Sequence, residues 1–595
     1  MARAHVALGP RPSLMHTFAR LSLLAALTGG TLAAVALAPT TAKACGGTFC
    51  DAGPQPMPVD QTGENILFVR DGAMMEAHIQ IQYEGDPEEF GWIIPLTAEP
   101  TEIAPGSEPL FQNMLAASVP TYGIQSQSDV CQAPQDDNGF GTAAAGGDGD
   151  DGGGDPEGGV DVLSIERVGA FEVTVLAAEQ ADDVAVWLTE NGYENDDAAL
   201  PILQQYLDEG HVFAAVKLVV GAGIDEIHPI MIRFESDEPC VPLRLTRIAA
   251  VDNMEIRTFF LGNGRTVPRN YRHVEVNPLK IDWPSQGQNY KEVVTLAVDE
   301  TSADGRAFVT EYAGPSGVIS RNGVVAVSWI ASEFDGLEPS AVIEELRDQG
   351  LWACGDDPIT FEYNCGAVHP LVQPLLDQFL PVPEGLVAMD FYENIGVYQT
   401  EIDVEAWGEG AGFAAGLQQR VIEPGQHADD LLRRMPYLTR MYTTISPAEM
   451  TEDPMFHENA SLGEVAQLRS ATRRTLCNSD QIWTLPDGRE VYLPSGAQWP
   501  DFDVEAPMDA PMPSAEFIEE VAASGAPMRL VDNEEAINIQ LRAYNDGVGW
   551  DGAPVAEGEN ASSEEGGCGC QTGSTGTGWM FGLGFILLGV GRRRL

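Results

Sequence analysis

The sequence predicts an α+β fold, mixed antiparallel strands with short helices, broken by a disordered acidic Gly/Asp insertion. Three observations carry this. Apolar and polar residues alternate through Ala77–Tyr83, the period-two pattern of strands, and Ile66–Arg70 is read as a strand with it. Val184, Trp187 and Leu188 share one face at helical spacing within Asp182–Asn191. Pro134–Gly159 is Gly and Asp with almost no large apolar residue, so it has too little apolar surface to offset the entropy of ordering.

The remaining elements follow in chain order. Phe90–Leu96 is a short apolar run checked by Pro95 and Pro100, read as a strand, and Glu108–Ala117 is a helix with Leu110, Met114 and Leu115 on one face. Ala170–Leu176 is a strand. The helix Asp182–Asn191 stops before Gly192, and a second, Asp197–Leu207, sets Leu200, Leu203, Gln204 and Leu207 at helical spacing. Val212–Val220, Met231–Phe234, Ile256–Leu261 and Val293–Val298 are expected as strands, and Ala341–Arg347, Leu371–Phe379 and Ala428–Met435 as short helices. From Trp499 to Pro513 the chain is Pro-rich; a helix-like stretch, Ser514–Ala522, and a strand, Ile537–Ala543, come after it.

Composition bounds the function. Of 595 residues, 44% are hydrophobic and 8% aromatic, enough for a real core. Against 32 Lys and Arg stand 90 Asp and Glu, a formal charge of −58, which repels nucleic-acid phosphates and anionic lipid. Nucleic acid is therefore not an expected partner, and the acidity reads as a solubilised surface. An EF-hand at Asp148-Gly149-Asp150-Asp151-Gly152 would need a carboxylate at position 159, which is Gly, and there is no nonapeptide repeat.

Nine cysteines are few for this length, so the core and not a disulfide framework must hold the fold. The candidate pairs are Cys45 with Cys50, Cys354 with Cys365, and Cys131 with Cys240 across the acidic loop, which leaves Cys477 over. Neither CxxC nor HExxH occurs, so no metal set and no cofactor is assigned.

The first 20 residues carry Arg3, Arg11 and Arg20 and no acid, Leu21–Leu37 is apolar, and Ala42-Lys43-Ala44 ends the segment. This is the order of parts that signal peptidase reads, so cleavage after Ala44 is expected, with Cys45 first in the mature chain. A lipobox would need an aliphatic residue where Ala42 stands. At the other end Glu557–Gly567 is an acidic stalk, Cys568-Gly569-Cys570 follows, Trp579–Val590 is apolar, and Arg592-Arg593-Arg594 precedes Leu595. Gly573–Gly591 as a helix would cover about 30 Å, roughly one bilayer core, with the Arg triplet on the cytoplasmic side. The organisation read from these shifts is a leader at 1–44, an ectodomain at 45–133 and 161–498 around the loop 134–160, a Pro-rich extension at 499–553, a stalk at 554–567 and a tail at 568–595.

Cys568-Gly569-Cys570, the Gly-rich stretch, the apolar segment and the Arg cluster resemble the MYXO-CTERM sorting tail of myxobacteria. The resemblance implies a sorting protease that removes the tail, and retention at the cell surface with a lipid on Cys568. The ectodomain resembles the secreted bacterial family DUF2330. The residues that carry this are Ala44-Cys45-Gly46-Gly47-Thr48-Phe49-Cys50, Val59-Asp60-Gln61 with Glu64, Ile79-Gln80-Ile81-Gln82-Tyr83-Glu84-Gly85, Phe90-Gly91-Trp92-Ile93-Ile94-Pro95, Trp187-Leu188 and Asn191-Gly192-Tyr193. It spans about residues 45–460 and brings no known activity.

Catalytic patterns are absent from the sequence. There is no GxSxG; Gly314-Pro315-Ser316-Gly317 reads as a turn, and Gly262-Asn263-Gly264-Arg265 lacks the Lys of a phosphate loop. His78, His211, His228, His273, His369, His427 and His457 are far apart in sequence, and Cys477 with one of them would be a thiolate candidate. Trp92 and Trp187 sit in core patterns. No catalytic residue is assigned. The expected protein is an exported, surface-anchored bacterial envelope protein that binds or shields; the alternatives are a secreted hydrolase whose site assembles from distant residues, and a cation-dependent adhesin.

Overall fold

The computed structural model describes residues 63–80, 91–129, 161–191, 193, 198–219, 222–248, 250–356, 363–505 and 510–550. It is α+β, with antiparallel-rich sheets and short helices. The backbone is organised by a ten-stranded sheet. Its strand order is Met528–Asp532, Ala515–Glu520, Arg272–Val276, Ala307–Pro315, Tyr437–Ile445, Met254–Gly262, Gly63–Asp71, Met74–Gln80, Ile230–Glu235 and Glu102–Pro105.

Both faces of the sheet centre are covered, and the period of two sorts side chains between them. Ile66 and Phe68 face a core shared with a four-stranded sheet of Gly91–Leu96, Val212–Leu218, Phe171–Ala177 and Asp161–Val168, which supplies Trp92, Ile94, Phe171 and Val216. Leu67 and Val69 face the other way, against Leu110, Phe111 and Met114 of the helix Glu108–Ser118 and Ala428 and Leu431 of the helix Glu423–Arg434. Pro95 pairs with Phe213 on the outermost strand of the small sheet, where a residue without an N–H is tolerated.

A third sheet, Glu490–Leu493, Gln481–Thr484, Leu468–Thr475 and Thr121–Ser128, packs Trp483 and Val491 on the helix Glu534–Gly547. Residues between Val324 and Ile422 form a mainly helical lobe around Phe334, Trp407 and Phe413.

Three element readings are corrected. Val293–Val298 is not a strand but the end of a helix, Tyr290–Val298, because Val293, Val294, Ala297 and Val298 make one buried helical face and that packing overrides the β-branched preference. Ala515–Glu520, expected as helix, is a strand pairing with Arg272–Val276. Ile537–Ala543, expected as strand, lies inside Glu534–Gly547, where Ile537, Gln540, Leu541 and Tyr544 recur at i, i+3, i+4 and i+7.

Candidate functional site

The strand Met74–Gln80 lies between Gly63–Asp71 and Ile230–Glu235 and is buried on both faces. Met75, Ala77 and Ile79 enter the sandwich core. Glu76 and His78 therefore point to the helix-covered side, where each is under 3% exposed. Arg233 stands opposite Glu76 in the register and donates from Nη2 to Glu76 Oε2 at 2.6 Å, while its Nη1 reaches Glu102 Oε2 at 3.1 Å. The second carboxylate oxygen, Oε1, faces two imidazoles. His78 Nε2 is 2.7 Å from it and His427 Nε2, reaching down from Glu423–Arg434, is 2.5 Å from it. The two rings lie nearly parallel with centroids 5.8 Å apart.

The helix that carries His427 is placed by local chemistry. Pro424 has no N–H to donate to Arg420, and the preceding turn, Gln418–Ile422, is widened to a π-helix. A Cβ on Gly425 would lie 2.1 Å from Val324 O, so only glycine lets the helix sit this close. Arg420, in the widened turn, pairs with buried Glu226.

Burial opposes the charge on Glu76, but the hydrogen bonds of His427 and then His78 outweigh it, and the carboxyl is held well below its ordinary range. Burial pushes the His78 imidazole down, against the pull of Glu76. His78 Nδ1 is buried and has no hydrogen-bond partner among the described residues. The pair Asn65–Gln80 (2.8 Å) and Gln80–Glu108 (2.8 Å) extends the polar patch along the same strand.

A second cluster joins Thr310, His273 and Glu519 across neighbouring strands. Thr310 Oγ1 is 3.0 Å from His273 Nε2, and His273 Nδ1 is 3.2 Å from Glu519 Oε2. The order hydroxyl, imidazole, carboxylate is that of a nucleophile relay. All three residues are at most 5% exposed, and Arg265 Nη2 also donates to Thr310 Oγ1 at 3.2 Å. A third feature is a cleft of about 600 Å³ lined by Glu209, His211, Cys240, Arg244, Arg269 and Asp453. Arg244 is already fully engaged there: Nη1 and Nη2 hold Glu209 at 2.7 and 2.6 Å, and Nε holds Asp453 Oδ2 at 2.9 Å.

The cysteine readings divide. Cys354 and Cys365 face each other across the hairpin Trp352–Asp356 and Tyr363–Ala367 and are bonded, with Cα atoms 4.0 Å apart. Cys240 is a free thiol whose residue bridges to Met455 in the cleft, and burial pushes its pKa up, which corrects its assignment to a disulfide. Cys477, expected to be left over, is disulfide-bonded, so it holds no thiolate for catalysis. Ser316 is buried with its hydroxyl donating to Met435 O at 2.6 Å, and Trp92 and Trp187 are core. Ala42, Ala44, Cys45, Cys50, Cys131, Cys568, Gly569 and Cys570 lie outside the described residues, as does the loop 134–160. Among the described residues no helix is long and apolar enough to cross a membrane; the segment 573–591 is not among them.

The model of the bacterial family DUF2330, an uncharacterized protein conserved in bacteria, matches residues 39–350, a little more than half of the chain. The chain belongs to this family. No curated protein and no solved structure matches it. The family match ends at residue 350, short of the 460 expected, yet the strand Tyr437–Ile445 sits in the middle of the large sheet. Glu76 and His78 are thus inside the matched span and His427 is outside it.

Of the convergent side chains, His78, His273 and His427 were among the histidines noted in sequence, while Glu76, Arg233 and Glu519 were not. The available signal was Glu-x-His inside a strand of Met, Ala and Ile: alternation that looks like a solvent face, on a strand whose neighbours are apolar at every position from Ile66 to Val69.

Proposed function

We propose that this DUF2330 protein is exported to the bacterial envelope, is held there by its Cys568-containing tail, and binds a partner without transforming it. Signal peptidase and a sorting protease are its processing partners in this reading, and the membrane is met only through the tail. The Arg3-to-Ala44 leader and the Cys568-to-Arg594 tail support the topology. The observation that carries the non-catalytic part is the closed relay. Thr310, His273 and Glu519 have the spacing of a hydrolase triad, but the hydroxyl is capped by Arg265 and at most 5% of any of the three is exposed, so no substrate carbonyl can approach it. The hydrolase alternative would need that hydroxyl open to solvent.

Cell fractionation and N-terminal sequencing test the topology: the mature chain should start at Cys45 in an envelope fraction, and Cys568→Ser should be released or held unprocessed. A mature start at Met1, or a Cys568→Ser chain retained at the surface with Trp579–Val590 intact, would reject it. An ester or peptide hydrolysis that disappears in Thr310→Val would reject the binding reading.

A further inference from the structure

From the way two imidazoles and one carboxylate oxygen converge under the Glu423–Arg434 helix, we propose that Glu76, His78 and His427 form a site for one divalent first-row transition-metal ion, of which Zn2+ is the representative probe. His78 Nε2, His427 Nε2 and a Glu76 oxygen all lie within 4.8 Å of one another. A tetrahedral ion with bonds of about 2.0–2.1 Å holds its ligand atoms roughly 3.3 Å apart. The imidazole nitrogens stand 2.7 and 2.5 Å from Glu76 Oε1, so the ring nitrogens need to move back by less than about 1 Å to admit the ion.

The chemistry of the donors selects the ion. Two neutral imidazoles and a single carboxylate oxygen suit Zn2+, Ni2+ or Cu2+, whereas Ca2+ and Mg2+ take oxygen shells. Binding needs the Nε2 lone pair, with the imidazole proton on Nδ1. His78 Nδ1 has no hydrogen-bond partner among the described residues, so that tautomer displaces no partner at Nδ1, and the Nε2–H bond to Glu76 Oε1 is exchanged for the bonds of both groups to the ion. Arg233 grips Glu76 Oε2, which leaves Oε1 turned to the imidazoles and makes the carboxylate a one-oxygen ligand. The guanidinium charge opposes a cation, and Glu102, 3.1 Å from Arg233, offsets it.

His427 is the outer member, 30% exposed against 2% for Glu76 and His78. The ion would therefore enter on the His427 side and keep a water or partner ligand in its fourth position there. Because His427 falls beyond the span that matches the family, the ion also ties the 423–434 helix to the strand Met74–Gln80.

The competing account is a buried hydrogen-bonded network in which Arg233, His78 and His427 satisfy Glu76 and nothing else enters. The test uses the full chain, carrying no added His tag, stripped with a chelator and titrated with Zn2+ in millimolar Mg2+ to occupy the acidic surface. One Zn2+ per chain should bind and raise the Tm, and Co2+ in its place should give the intense visible absorption of a tetrahedral centre. His427→Ala should weaken Zn2+ at least tenfold; because it also takes one hydrogen bond from the buried Glu76 carboxylate it should lower the metal-free Tm, so uptake is read by direct titration at a temperature where the variant is folded. His427→Asp should recover part of the binding. Absence of stoichiometric uptake, uptake unchanged in His427→Ala, or a Co2+ spectrum like that of the hydrated ion would overturn the site.

Discussion

Lowering the pH from 7 to 5 should destabilise this protein by several kcal/mol through histidines that the fold keeps neutral. His228 shows why. Its Nδ1 donates to Pro229 O at 2.8 Å, and its Nε2 accepts the Ala170 N–H at 3.1 Å, so both nitrogens are committed in the neutral form. A second proton would set N–H against N–H in a site that is 1% exposed. Burial pushes this imidazole down to about 4, with Arg420 adding to it. Burial alone takes His369 to about 4 as well. Since the folded values lie below the unfolded 6.5, the unfolded chain binds more protons between them. Stability is then complete above about pH 6.5 and is lost as pH falls toward 4. For one group with these two values the loss between pH 7 and pH 5 is about 1.8 kcal/mol, so the two together remove about 3.6 kcal/mol. That is a large part of the 5–15 kcal/mol typical of a domain. His78 and His211, also pushed down chiefly by burial, act in the same direction, whereas burial raises Glu108 and opposes them. Urea unfolding at pH 7, 6 and 5 reads the slope. His369→Leu removes one titrating group, and its ΔG should fall by about 1.8 kcal/mol less than the parent's over the same interval. Equal slopes in parent and variant would refute the reasoning.

Two further outcomes are expected. A non-reducing peptide map should return Cys354 linked to Cys365 and Cys240 as an unlinked thiol; it should pair Cys477 with Cys131, because Ser128 lies opposite Thr475 in parallel strands and Asp129 N donates to Thr475 O. Cys477 linked to Cys45 or Cys50 would contradict that register argument. Glu226→Ala should cost about 3–5 kcal/mol in urea unfolding, because it strands the Arg420 guanidinium at 6% exposure; a loss below about 1 kcal/mol would mean that water reaches the pair.

How much of this was legible in the sequence depends on whether the deciding contact is local. The helix Ala181–Glu190 was readable because its own periodicity names the buried face, and the strands Gly63–Asp71 and Met254–Gly262 because each holds a short apolar run of strand length. Tyr290–Val298 misled because a run of valines favours a strand in isolation, and only the neighbours Val274, Val309 and Tyr442 make its helical face the buried one. Ala515–Glu520 and Glu534–Gly547 exchanged identities for the same reason: short elements next to a Pro-rich stretch are decided by the sheet edge and the Trp483 core that they complete.

The candidate site was less legible than the fold, and the reason is the covering helix. In Met74–Gln80 the polar residues Glu76 and His78 alternate with Met75, Ala77 and Ile79, a pattern that on a strand covered on one side would put both polar groups in water. What changes their meaning is His427, about 350 residues later, on a helix brought onto that face by Pro424 and Gly425. A polar pair on a strand becomes a buried charge that must be compensated only once the far helix closes over it. That compensation, Arg233 on one carboxylate oxygen and two imidazoles on the other, fixes Glu76 in position. The cost of sealing a carboxylate beneath a helix exceeds what packing there would need, since a valine at position 76 would fill the face at no electrostatic cost. Its presence, with two imidazole nitrogens turned to one oxygen, makes more sense for a group held ready to take a ligand than for a group that only packs.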